Sequence, residues 1–431
     1  MNYRGKNITV LGMARSGIAS AKKLASLGAK VLLSEAKPAE QIDPNLIETL
    51  KAAGVNLELG GHTDQTIESA DMIVVSPGIH LDIPILEQAK QKKIPIISEI
   101  ELAYQILKKP MIALTGTNGK TTTTTLLGEM LKAGGKKVAV AGNIGNPLIE
   151  VAETNLDYIV AEISSYQLEA TKEFKPWISV VLNIQEDHLE RHHSMAEYIK
   201  QKSRIFINQT SDDYLVYNGD EVIVKEMVTK AKAKLVSFKK SDKTIITLDP
   251  AEIKIPGEHN LENALAAAQV AYLCGIEKET VNQVLKTFPG VEHRIEFVRS
   301  IKGIDFYNDS KATNPDSTIV ALKTFSDNKV IVILGGKDKG VTLNKMIELI
   351  KQKAKAVVLL GEASQRFEKA LKDSGYNNLY RSNSLSDAVS KIIELGEDGD
   401  IGLLSPACAS FDMFKNYEER GKIFKQAVIN G

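Results

Sequence analysis

A run of small and hydroxylated residues that ends in a lysine has the composition of a phosphate-binding loop. Gly116 and Gly119 permit a tight turn with open backbone N–H groups, Lys120 adds a positive charge, and Thr121 offers a hydroxyl to Mg²⁺. The spacing is G-x-x-G-K-T, shorter than the usual G-x-x-x-x-G-K-[ST], whose first glycine would fall on Leu114. A glycine turn that carries a lysine by chance is the alternative interpretation. The candidate ATP contacts in this loop are Gly116, Thr117, Asn118, Gly119, Lys120, Thr121 and Thr122.

Acidic and imidazole side chains follow two later strands. Glu162 ends a predicted strand, so it lies at the carboxyl edge of a parallel sheet, the edge that also carries the phosphate loop. A carboxylate there could hold Mg²⁺ beside ATP, and a solvated strand-end glutamate is the alternative. His188 follows the next strand at the same edge, although Asp187 and Glu190 could instead form a capping box that leaves His188 without a role.

Lys202 falls on the apolar face of a predicted helix. Ser194 and Glu197 have the spacing of a capping box, and the helix that follows presents Tyr198 and Phe206 on the same face as Lys202. Burial disfavours an ammonium ion and lowers its pKa, and a neutral amine can react with CO₂ to give a carbamate that could bridge metal ions. A lysine whose amine reaches out to solvent from the edge of the apolar face is the alternative.

Short apolar runs of β-branched residues alternate with amphipathic stretches of helix length along the chain. This alternation is typical of parallel sheets covered by helices, so the predicted fold class is α/β. The series breaks near Ser98 and near Arg299, which predicts three domains. We assign residues 1–98 to a Rossmann-like N-terminal domain, 99–299 to a central P-loop-type mononucleotide-binding domain, and 300–431 to a Rossmann-like C-terminal domain.

The composition excludes several classes of protein. Among 431 residues, basic and acidic side chains both number 54, so no net charge attracts the chain to nucleic acid or to an anionic membrane. Two cysteines are too few for a disulfide framework, and the N-terminus enters a strand pattern without the layout of a signal peptide. No apolar run approaches the roughly 20 residues that cross a bilayer. We expect a cytoplasmic protein.

The first strand is followed by a weak dinucleotide fingerprint. Residues 12–17 have Ala14 in place of the middle glycine, and Glu35 lies near the position of a ribose-binding acid. By itself this pattern would support a nicotinamide-dependent dehydrogenase. Hydride transfer, however, has no need of the phosphate loop in the next domain.

A polar run in the third domain has the position of a ligand-binding loop. Asn314 can cap a helix that has Pro315 at its first position, which makes residues 308–313 a strand-to-helix loop at a carboxyl edge. The alternative is a purely structural cap that leaves Asp309 and Lys311 as an exposed ion pair.

Taken together, these motifs resemble those of the Mur ligases, in the same order and over essentially the whole chain. The segments that carry the resemblance are residues 115–121, 162–167, 183–189, 257–263, 293–294, 308–313 and 405–412. The resemblance implies domains for a UDP-sugar, for ATP and for an amino acid. It also implies a reaction of peptidoglycan precursor synthesis, in which ATP phosphorylates the L-alanine carboxylate of UDP-N-acetylmuramoyl-L-alanine. The amine of D-glutamate then attacks the acyl phosphate through a tetrahedral intermediate, and the products are an amide, ADP and phosphate.

The resemblance also implies roles for single residues. Thr121 and Glu162 match ligands of one Mg²⁺, and His188 and a carbamylated Lys202 match ligands of a second, with Mn²⁺ as a substitute metal. The implied catalytic residues are Lys120, Glu162, His188, Lys202 and Lys311, the last of which would neutralise the transferring phosphoryl group. The implied nucleotide contacts outside the loop are Asn263, Arg294, Asp309 and Lys311. The implied UDP-substrate contacts are Arg15, Ser16, Glu35, Lys37, Ser76, Gly78 and Asn143. The implied D-glutamate contacts are Thr313, Lys339, Ser410, Phe411 and Tyr417.

One departure and several alternatives accompany this interpretation. The family usually has aspartate where Glu35 stands, which puts its uracil contact in question. Another Mur-type ligase or a folylpolyglutamate-type ligase is the nearest alternative. Folylpolyglutamate synthases lack a dinucleotide-like domain before the ATP loop, and the Asp-Asn-Pro-Arg motif of the diaminopimelate-adding ligase is absent here. A non-enzymatic, nucleotide-gated binding module is disfavoured, because desolvating paired charged groups is costly without chemistry to perform. We expect a monomer that binds neither nucleic acid nor membrane.

Overall fold

The computed structural model describes residues 2–151, 155–338 and 340–431. Its packing divides into two compact units. The first contains Met1–Leu248 and Glu262–Val284, and the second contains Asp249–Leu261 and Leu285–Gly431. Within the described ranges, no helix is both long enough and apolar enough to cross a membrane.

A parallel sheet occupies the N-terminal part of the first unit. Its strands are β1 (Asn7–Leu11), β2 (Lys30–Glu35), β3 (Val55–Leu59), β4 (Met72–Val75) and β5 (Ile96–Ser98). The helices of this stretch are α1 (Arg15–Ser26), α2 (Pro44–Ala52), α3 (Gln65–Glu68), α4 (Pro84–Gln91) and α5 (Glu99–Ile106). The strand order is β3-β2-β1-β4-β5. This order places the loop after β1 beside the loop after β4, at one carboxyl edge.

A second parallel sheet follows in the same unit. Its strands are β6 (Met111–Thr115), β7 (Val138–Gly142), β8 (Tyr158–Glu162), β9 (Ile178–Val181), β10 (Tyr214–Asn218) and β11 (Lys234–Phe238). The helices of this stretch are α6 (Lys120–Ala133), α7 (Ser165–Leu168), α8 (Leu189–His192), α9 (Met195–Ser203), α10 (Val222–Val228), α11 (Glu258–Leu273) and α12 (Lys278–Thr287), and the first residues of α11 and the last of α12 belong to the second unit. The order β11-β10-β9-β6-β8-β7 puts β6 between β8 and β9. The ends of these three strands therefore meet at one edge.

The second unit contains a third sheet. Its strands are β12 (Glu296–Ile301), β13 (Ile304–Asn308), β14 (Val330–Leu334), β15 (Ala354–Leu359), β16 (Leu379–Arg381) and β17 (Ile401–Leu404). The helices are α13 (Pro315–Lys323), α14 (Asn344–Lys353), α15 (Ser364–Asp373), α16 (Leu385–Leu395) and α17 (Tyr417–Asn430). The order is β12-β13-β17-β14-β15-β16, and β12 pairs antiparallel with β13 whereas the other pairs are parallel.

The predicted α/β class is confirmed, and its physical basis is visible in the central strands. Every residue of β6 and of β14 is buried, as expected for parallel strands covered by helices on both faces. The antiparallel edge strand β12 was not predicted, and the predicted boundary at 299/300 falls inside it. Short 3-10 helices span Ala39–Gln41, Leu148–Glu150 and Pro250–Glu252.

The predicted cap at Asn314 is present, and one of the two bonds predicted for the capping box of Ser194 and Glu197 is present. Asn314 caps α13 by accepting a hydrogen bond from the Ser317 N–H at 2.8 Å. Ser194 caps α9 by accepting from the Glu197 N–H at 3.2 Å. The Glu197 carboxylate, however, accepts from Gln201 and from a neighbouring lysine instead of completing the box at the Ser194 N–H. The helix therefore begins where the sequence predicts, with one of the two expected bonds.

Glu101 in α5 ties the end of the first sheet to the segment that precedes β9. Its side chain is fully buried, and its carboxylate accepts hydrogen bonds from the backbone N–H groups of Lys172, Glu173 and Phe174 at 2.8 to 3.1 Å. The amide of Gln105 adds another at 3.1 Å. A single carboxylate thus satisfies the three consecutive backbone donors that lead to the buried Phe174.

Replacing Glu101 with alanine is expected to lower the free energy of unfolding by about 2–5 kcal/mol, because the fully buried carboxylate and its bonds to three backbone N–H groups are lost. Urea unfolding followed by circular dichroism measures this change. Glu173→Ala is the control, since the Glu173 side chain is exposed and its loss should change stability by less than about 0.5 kcal/mol. Equal stability of the two variants would contradict the anchoring role of Glu101.

Candidate active site

The phosphate loop joins β6 to α6, as the sequence predicts. Gly119 has a φ of +81°, a left-handed conformation that favours glycine. A Cβ atom at this position would also lie 2.2 Å from Oδ1 of Asn263. The close approach places Asn263, a predicted nucleotide contact, directly against the loop.

Two side chains that were not predicted as functional hold the loop in shape. Asn183 follows β9, and its side chain accepts from the Asn118 N–H at 2.7 Å and donates to the Asn118 carbonyl at 3.1 Å. The hydroxyl of Tyr198 lies 3.1 Å from that of Thr117. Because the adjacent strands β6 and β9 end at the same edge, the loop after one strand supports the loop after the other.

Two lysine amines converge on one carbonyl of this loop. Lys120 Nζ donates to the carbonyls of Gly116 and Thr117, both at 2.7 Å, and Lys202 Nζ donates to the Gly116 carbonyl at 2.7 Å. Lys202 is 1% exposed and its amine lies 4.8 Å from the ring centre of Tyr198. The predicted inward direction of this lysine is therefore confirmed.

The surroundings of Lys202 disfavour its ammonium form. Burial holds the pKa of the amine well below its usual value, and the charge of Lys120 acts in the same direction. Asp187 and Glu162 act in the opposite direction. The amine therefore loses its proton more readily than a lysine in solvent does.

Glu162 lies at the end of β8 and is buried. Its Oε1 accepts from the Asn143 amide at 2.7 Å, and its buried Oε2 has no hydrogen-bond partner among the described residues. A buried carboxylate oxygen without a partner beside a phosphate loop fits a cation ligand. Across the described ranges, no three His, Cys, Asp or Glu side chains cluster as a complete metal site. Mg²⁺ commonly takes one or two carboxylates together with phosphate oxygens, so this arrangement suits it.

His188 adopts a left-handed φ of +55° immediately before α8. Its ring nitrogens lie 3.4 Å from carboxylate oxygens of Asp187 and Glu190, and its ring packs against Tyr166 at 4.8 Å between centroids. No side chain caps α8, so a capping box formed by Asp187 and Glu190 is wrong. A half-exposed imidazole is thus held at the carboxyl edge of the sheet.

A cavity of about 300 Å³ lies at the carboxyl edge of the first sheet, beside the loop after β7. Its lining includes four predicted UDP-substrate contacts, namely Arg15, Ser16, Gly78 and Asn143. The Arg15 guanidinium donates to the Gly145 carbonyl at 2.8 Å across this cavity wall.

The three other predicted UDP-substrate contacts lie outside that lining. The Glu35 carboxylate accepts from the backbone N–H groups of Met13 at 2.7 Å and of Lys37 at 3.0 Å. The Ser76 hydroxyl donates to the Gly12 carbonyl at 3.0 Å. These bonds hold the loops after β1, β2 and β4 to one another.

Glu99 lines the same cavity and was not predicted. Its Oε1 accepts from the Ile149 N–H at 2.8 Å, and burial raises the pKa of its carboxyl to about 7. The only signal in the sequence was a glutamate directly after a strand.

The second unit has its own polar cluster at the end of β13. Asp309 is buried and accepts from the Ser405 hydroxyl at 2.7 Å and from the Ile295 N–H at 3.3 Å. Burial raises the pKa of the Asp309 carboxyl to about 7, although Ser405 and the charge of Arg294 oppose the rise. Because Asp309 is buried, an exposed ion pair between it and Lys311 is wrong. The Lys311 amine lies 6.0 Å from the ring centre of Tyr417.

The predicted amino-acid contacts differ in their exposure. Ser410 is buried, Phe411 is 71% exposed, Thr313 is the last residue of the loop at 308–313, and Tyr417 begins α17. Lys339 lies outside the described residues. Arg420, which was not predicted, is buried and fixes the loop by donating to Ser310 Oγ at 2.9 Å.

Known domain families match most of the chain. The Mur ligase MurD-like N-terminal domain matches residues 6–98, the Mur ligase middle domain matches 114–271, and the Mur ligase glutamate ligase domain matches 293–408.

Curated relatives match over their full length. A UDP-N-acetylmuramoylalanine–D-glutamate ligase from Thermoanaerobacter sp. (strain X514) is 45% identical, with 99% of each chain covered. A protein of the same name from Clostridioides difficile (strain 630) is 42% identical, with 100% of each chain covered.

Solved structures share the fold at low identity. UDP-N-acetylmuramate-alanine ligase MurC from Thermotoga maritima has a TM-score of 0.60 and 21% identity, and covers 98% of this chain and 99% of its own. Folylpolyglutamate synthase from Mycobacterium tuberculosis has a TM-score of 0.57 and 14% identity, and covers 75% of this chain and 94% of its own. With its three matching domains and its full-length relatives at 42 to 45% identity, this chain belongs to the Mur ligase family.

Proposed function

We propose that this protein is an ATP-dependent amide ligase that adds D-glutamate to UDP-N-acetylmuramoyl-L-alanine in peptidoglycan precursor synthesis. The observation that carries the proposal is the full-length identity of 42 to 45% to ligases named for that reaction. The loop, the buried Lys202 and the unpartnered oxygen of Glu162 support it independently, because they suit the transfer of a phosphoryl group.

Each of the three predicted domains binds a different substrate. Residues 1–98 bind the UDP-sugar, 99–299 bind ATP, and 300–431 bring the amino acid. The protein acts as a cytoplasmic monomer, and its partners are these small molecules alone.

The UDP-substrate occupies the cavity beside Arg15, Ser16, Gly78 and Asn143. Its alanine carboxylate must reach the phosphate loop. Asn143 connects the cavity with the proposed metal ligand Glu162, because it lines the cavity and its amide donates to Glu162 at 2.7 Å. Ser76, Glu35 and Lys37 act on the uridine side by holding the surrounding loops.

ATP phosphates lie on the N–H groups of the loop and at the start of α6, where the helix dipole favours negative charge. The Lys120 amine leaves the loop carbonyls to which it donates in the structure and binds phosphate oxygens. Gly116, Thr117, Asn118, Gly119, Thr121 and Thr122 complete the loop contacts, and Asn263 binds the nucleotide beside them.

Bound Mg²⁺, or Mn²⁺ in its place, supplies positive charge to the phosphoryl oxygens. Thr121 and Glu162 would hold one ion, and His188 and the carbamate of Lys202 would hold a second. A carbamate also changes the local electrostatics. A protonated Lys202 would repel Lys120 across the Gly116 carbonyl, whereas a carbamate would attract it.

The second unit binds D-glutamate, whose amine is the nucleophile, and adds further positive charge. Arg294 and Asp309 bind the nucleotide, and Lys311 neutralises charge on the transferring phosphoryl group. D-Glutamate is held with its amine toward the acyl phosphate by Thr313, Lys339, Ser410, Phe411 and Tyr417. Amine attack gives a tetrahedral intermediate that expels phosphate and leaves the amide.

Purified protein should release phosphate from ATP only when UDP-N-acetylmuramoyl-L-alanine and D-glutamate are both present, because the nucleophile is needed to complete the turnover. A coupled phosphate assay with single omissions measures this dependence. L-Glutamate is the stereochemical control and should support less than a tenth of the rate. Equal turnover with L-glutamate, or without any amino acid, contradicts the proposal.

Lys202→Ala should reduce kcat at least about 100-fold, because a metal ligand and its negative charge are removed. Acetate or formate added to this variant should restore part of the activity by occupying the space of the carbamate. The matched control is Lys200→Ala on the same helix, since the Lys200 side chain is 66% exposed. Full activity of Lys202→Ala removes this residue from the mechanism.

Asp309→Asn should stabilise the protein increasingly as pH rises. A carboxyl whose pKa is about 7 when folded and near 4 when unfolded binds its proton more tightly in the folded state, so the folded state loses stability between these values as pH rises. Asparagine does not ionise. The gain in unfolding free energy over the parent should therefore be about 1–3 kcal/mol larger at pH 8 than at pH 5.

Urea unfolding at the two pH values measures this difference. Asp373→Asn, at an exposed position of α15, should show no change between them. A pH-independent effect of Asp309→Asn would mean that Asp309 ionises normally in the folded protein.

A further inference from the structure

Arg191 forms a buried fork with Glu169. Its Nε donates to Glu169 Oε1 at 3.0 Å and its Nη2 donates to Glu169 Oε2 at 2.6 Å. The two side chains are 8% and 10% exposed. A bidentate pair of this kind fixes both the position and the plane of the guanidinium.

The same guanidinium holds the loop after β4. Arg191 Nη2 also donates to the carbonyl of Ile79 at 2.7 Å, across 112 positions of sequence. Ile79 directly follows Gly78, which lines the cavity proposed for the UDP-substrate. The Ile79 side chain in turn packs on the turn after β1, because a Cβ added to Gly12 would lie 3.2 Å from Ile79 Cδ1.

On its other side, Arg191 is connected to His188. The guanidinium carbon lies 5.0 Å from the ring centre of Tyr166, and that ring lies 4.8 Å from the ring of His188. Arg191 and His188 also share one short segment, since α8 begins directly after His188. The Arg191 guanidinium therefore contacts the loop after β4 directly and the predicted metal ligand His188 through Tyr166.

Stability alone is a weak reason for this arrangement. Removing two charges from water costs several kcal/mol, and apolar side chains of similar size often stabilise a protein as well as a buried ion pair does. The value of a forked pair lies in fixed geometry. Here the pair connects the loop after β4 with His188, and the proposed reaction requires these two parts of the site to be correctly placed relative to each other.

We propose that Arg191 is a positioning residue that couples the loop at residues 76–79 to His188, so that the UDP-substrate and the metal–nucleotide complex strengthen each other's binding. The inference rests on the proposed function, because it takes the cavity as the UDP-substrate site and His188 as a metal ligand. Linkage requires the strengthening to be equal in both directions.

Calorimetric titration tests the coupling. The dissociation constant of UDP-N-acetylmuramoyl-L-alanine is measured with and without Mg²⁺ and a non-hydrolysable ATP analogue. In the parent protein the analogue should tighten binding at least about fivefold. In Arg191→Lys, which keeps the charge and loses the fork, the ratio should fall to near one.

A matched control separates coupling from general destabilisation. Lys175 forms an ion pair with Asp213 at 3.1 Å in the same unit, before β9 and so at the opposite edge of the sheet. Lys175→Met should leave the ratio at its parent value. If Arg191→Lys does not fold, Tyr166→Leu provides the second variant, since it breaks the contact with His188 and retains the bonds of Arg191 to Glu169 and Ile79.

The outcomes distinguish the two proposals. A parent protein that does not bind UDP-N-acetylmuramoyl-L-alanine under any condition overturns the proposed function. A parent that binds it equally with and without the analogue overturns the role of Arg191, as does an unchanged ratio in the folded variant.

Discussion

The carbonyl oxygen of Gly116 accepts hydrogen bonds from the amines of both Lys120 and Lys202. Two positive charges so close together in a buried place are unfavourable unless one is neutral or a negative group joins them. Burial and then the charge of Lys120 lower the pKa of Lys202, whereas the charges of Asp187 and Glu162 oppose this shift. A negatively charged group bound here, such as a phosphate or the proposed carbamate, would remove this unfavourable interaction.

The sheet explains why these groups meet. Because β6 lies between β8 and β9 and all three run parallel, the loops that follow them share one edge. Asn183 after β9 shapes the phosphate loop after β6, and Glu162 ends β8. In the first sheet, β1 and β4 are also neighbours, and their loops meet at the cavity proposed for the UDP-substrate. Arg15 and Arg191 are among the side chains that connect these two regions, through the carbonyls of Gly145 and Ile79.

Local patterns in the sequence predicted those features that depend on a few neighbouring residues. The glycine spacing predicted the phosphate loop, the apolar face of α9 predicted the inward Lys202, and Asn314 with Pro315 predicted the start of α13. Features that depend on distant contacts were missed. Tyr198 has the pattern of a core residue, and its hydroxyl contact with Thr117 spans 81 positions.

The same reason explains what the sequence did not predict in the second unit and around the cavity. The burial of Asp309 was not predicted, and the hydrogen bond that it accepts there comes from Ser405, 96 positions away. The antiparallel strand β12 pairs with β13 only after a sharp reversal at Gly303, which short strand patterns do not distinguish from a crossover. The predicted roles of Glu35 and Ser76 came from the family resemblance, and their loop contacts required the fold.

If ATP activates the alanine carboxylate of the UDP-substrate as an acyl phosphate, one oxygen of that carboxylate must leave with the released phosphate. The most direct measurement uses UDP-N-acetylmuramoyl-L-alanine labelled with ¹⁸O in that carboxylate, with ATP and D-glutamate present, and determines the isotope content of the released phosphate by mass spectrometry. One ¹⁸O atom is expected to move to phosphate for each amide formed. Amide formation with unlabelled phosphate would contradict it.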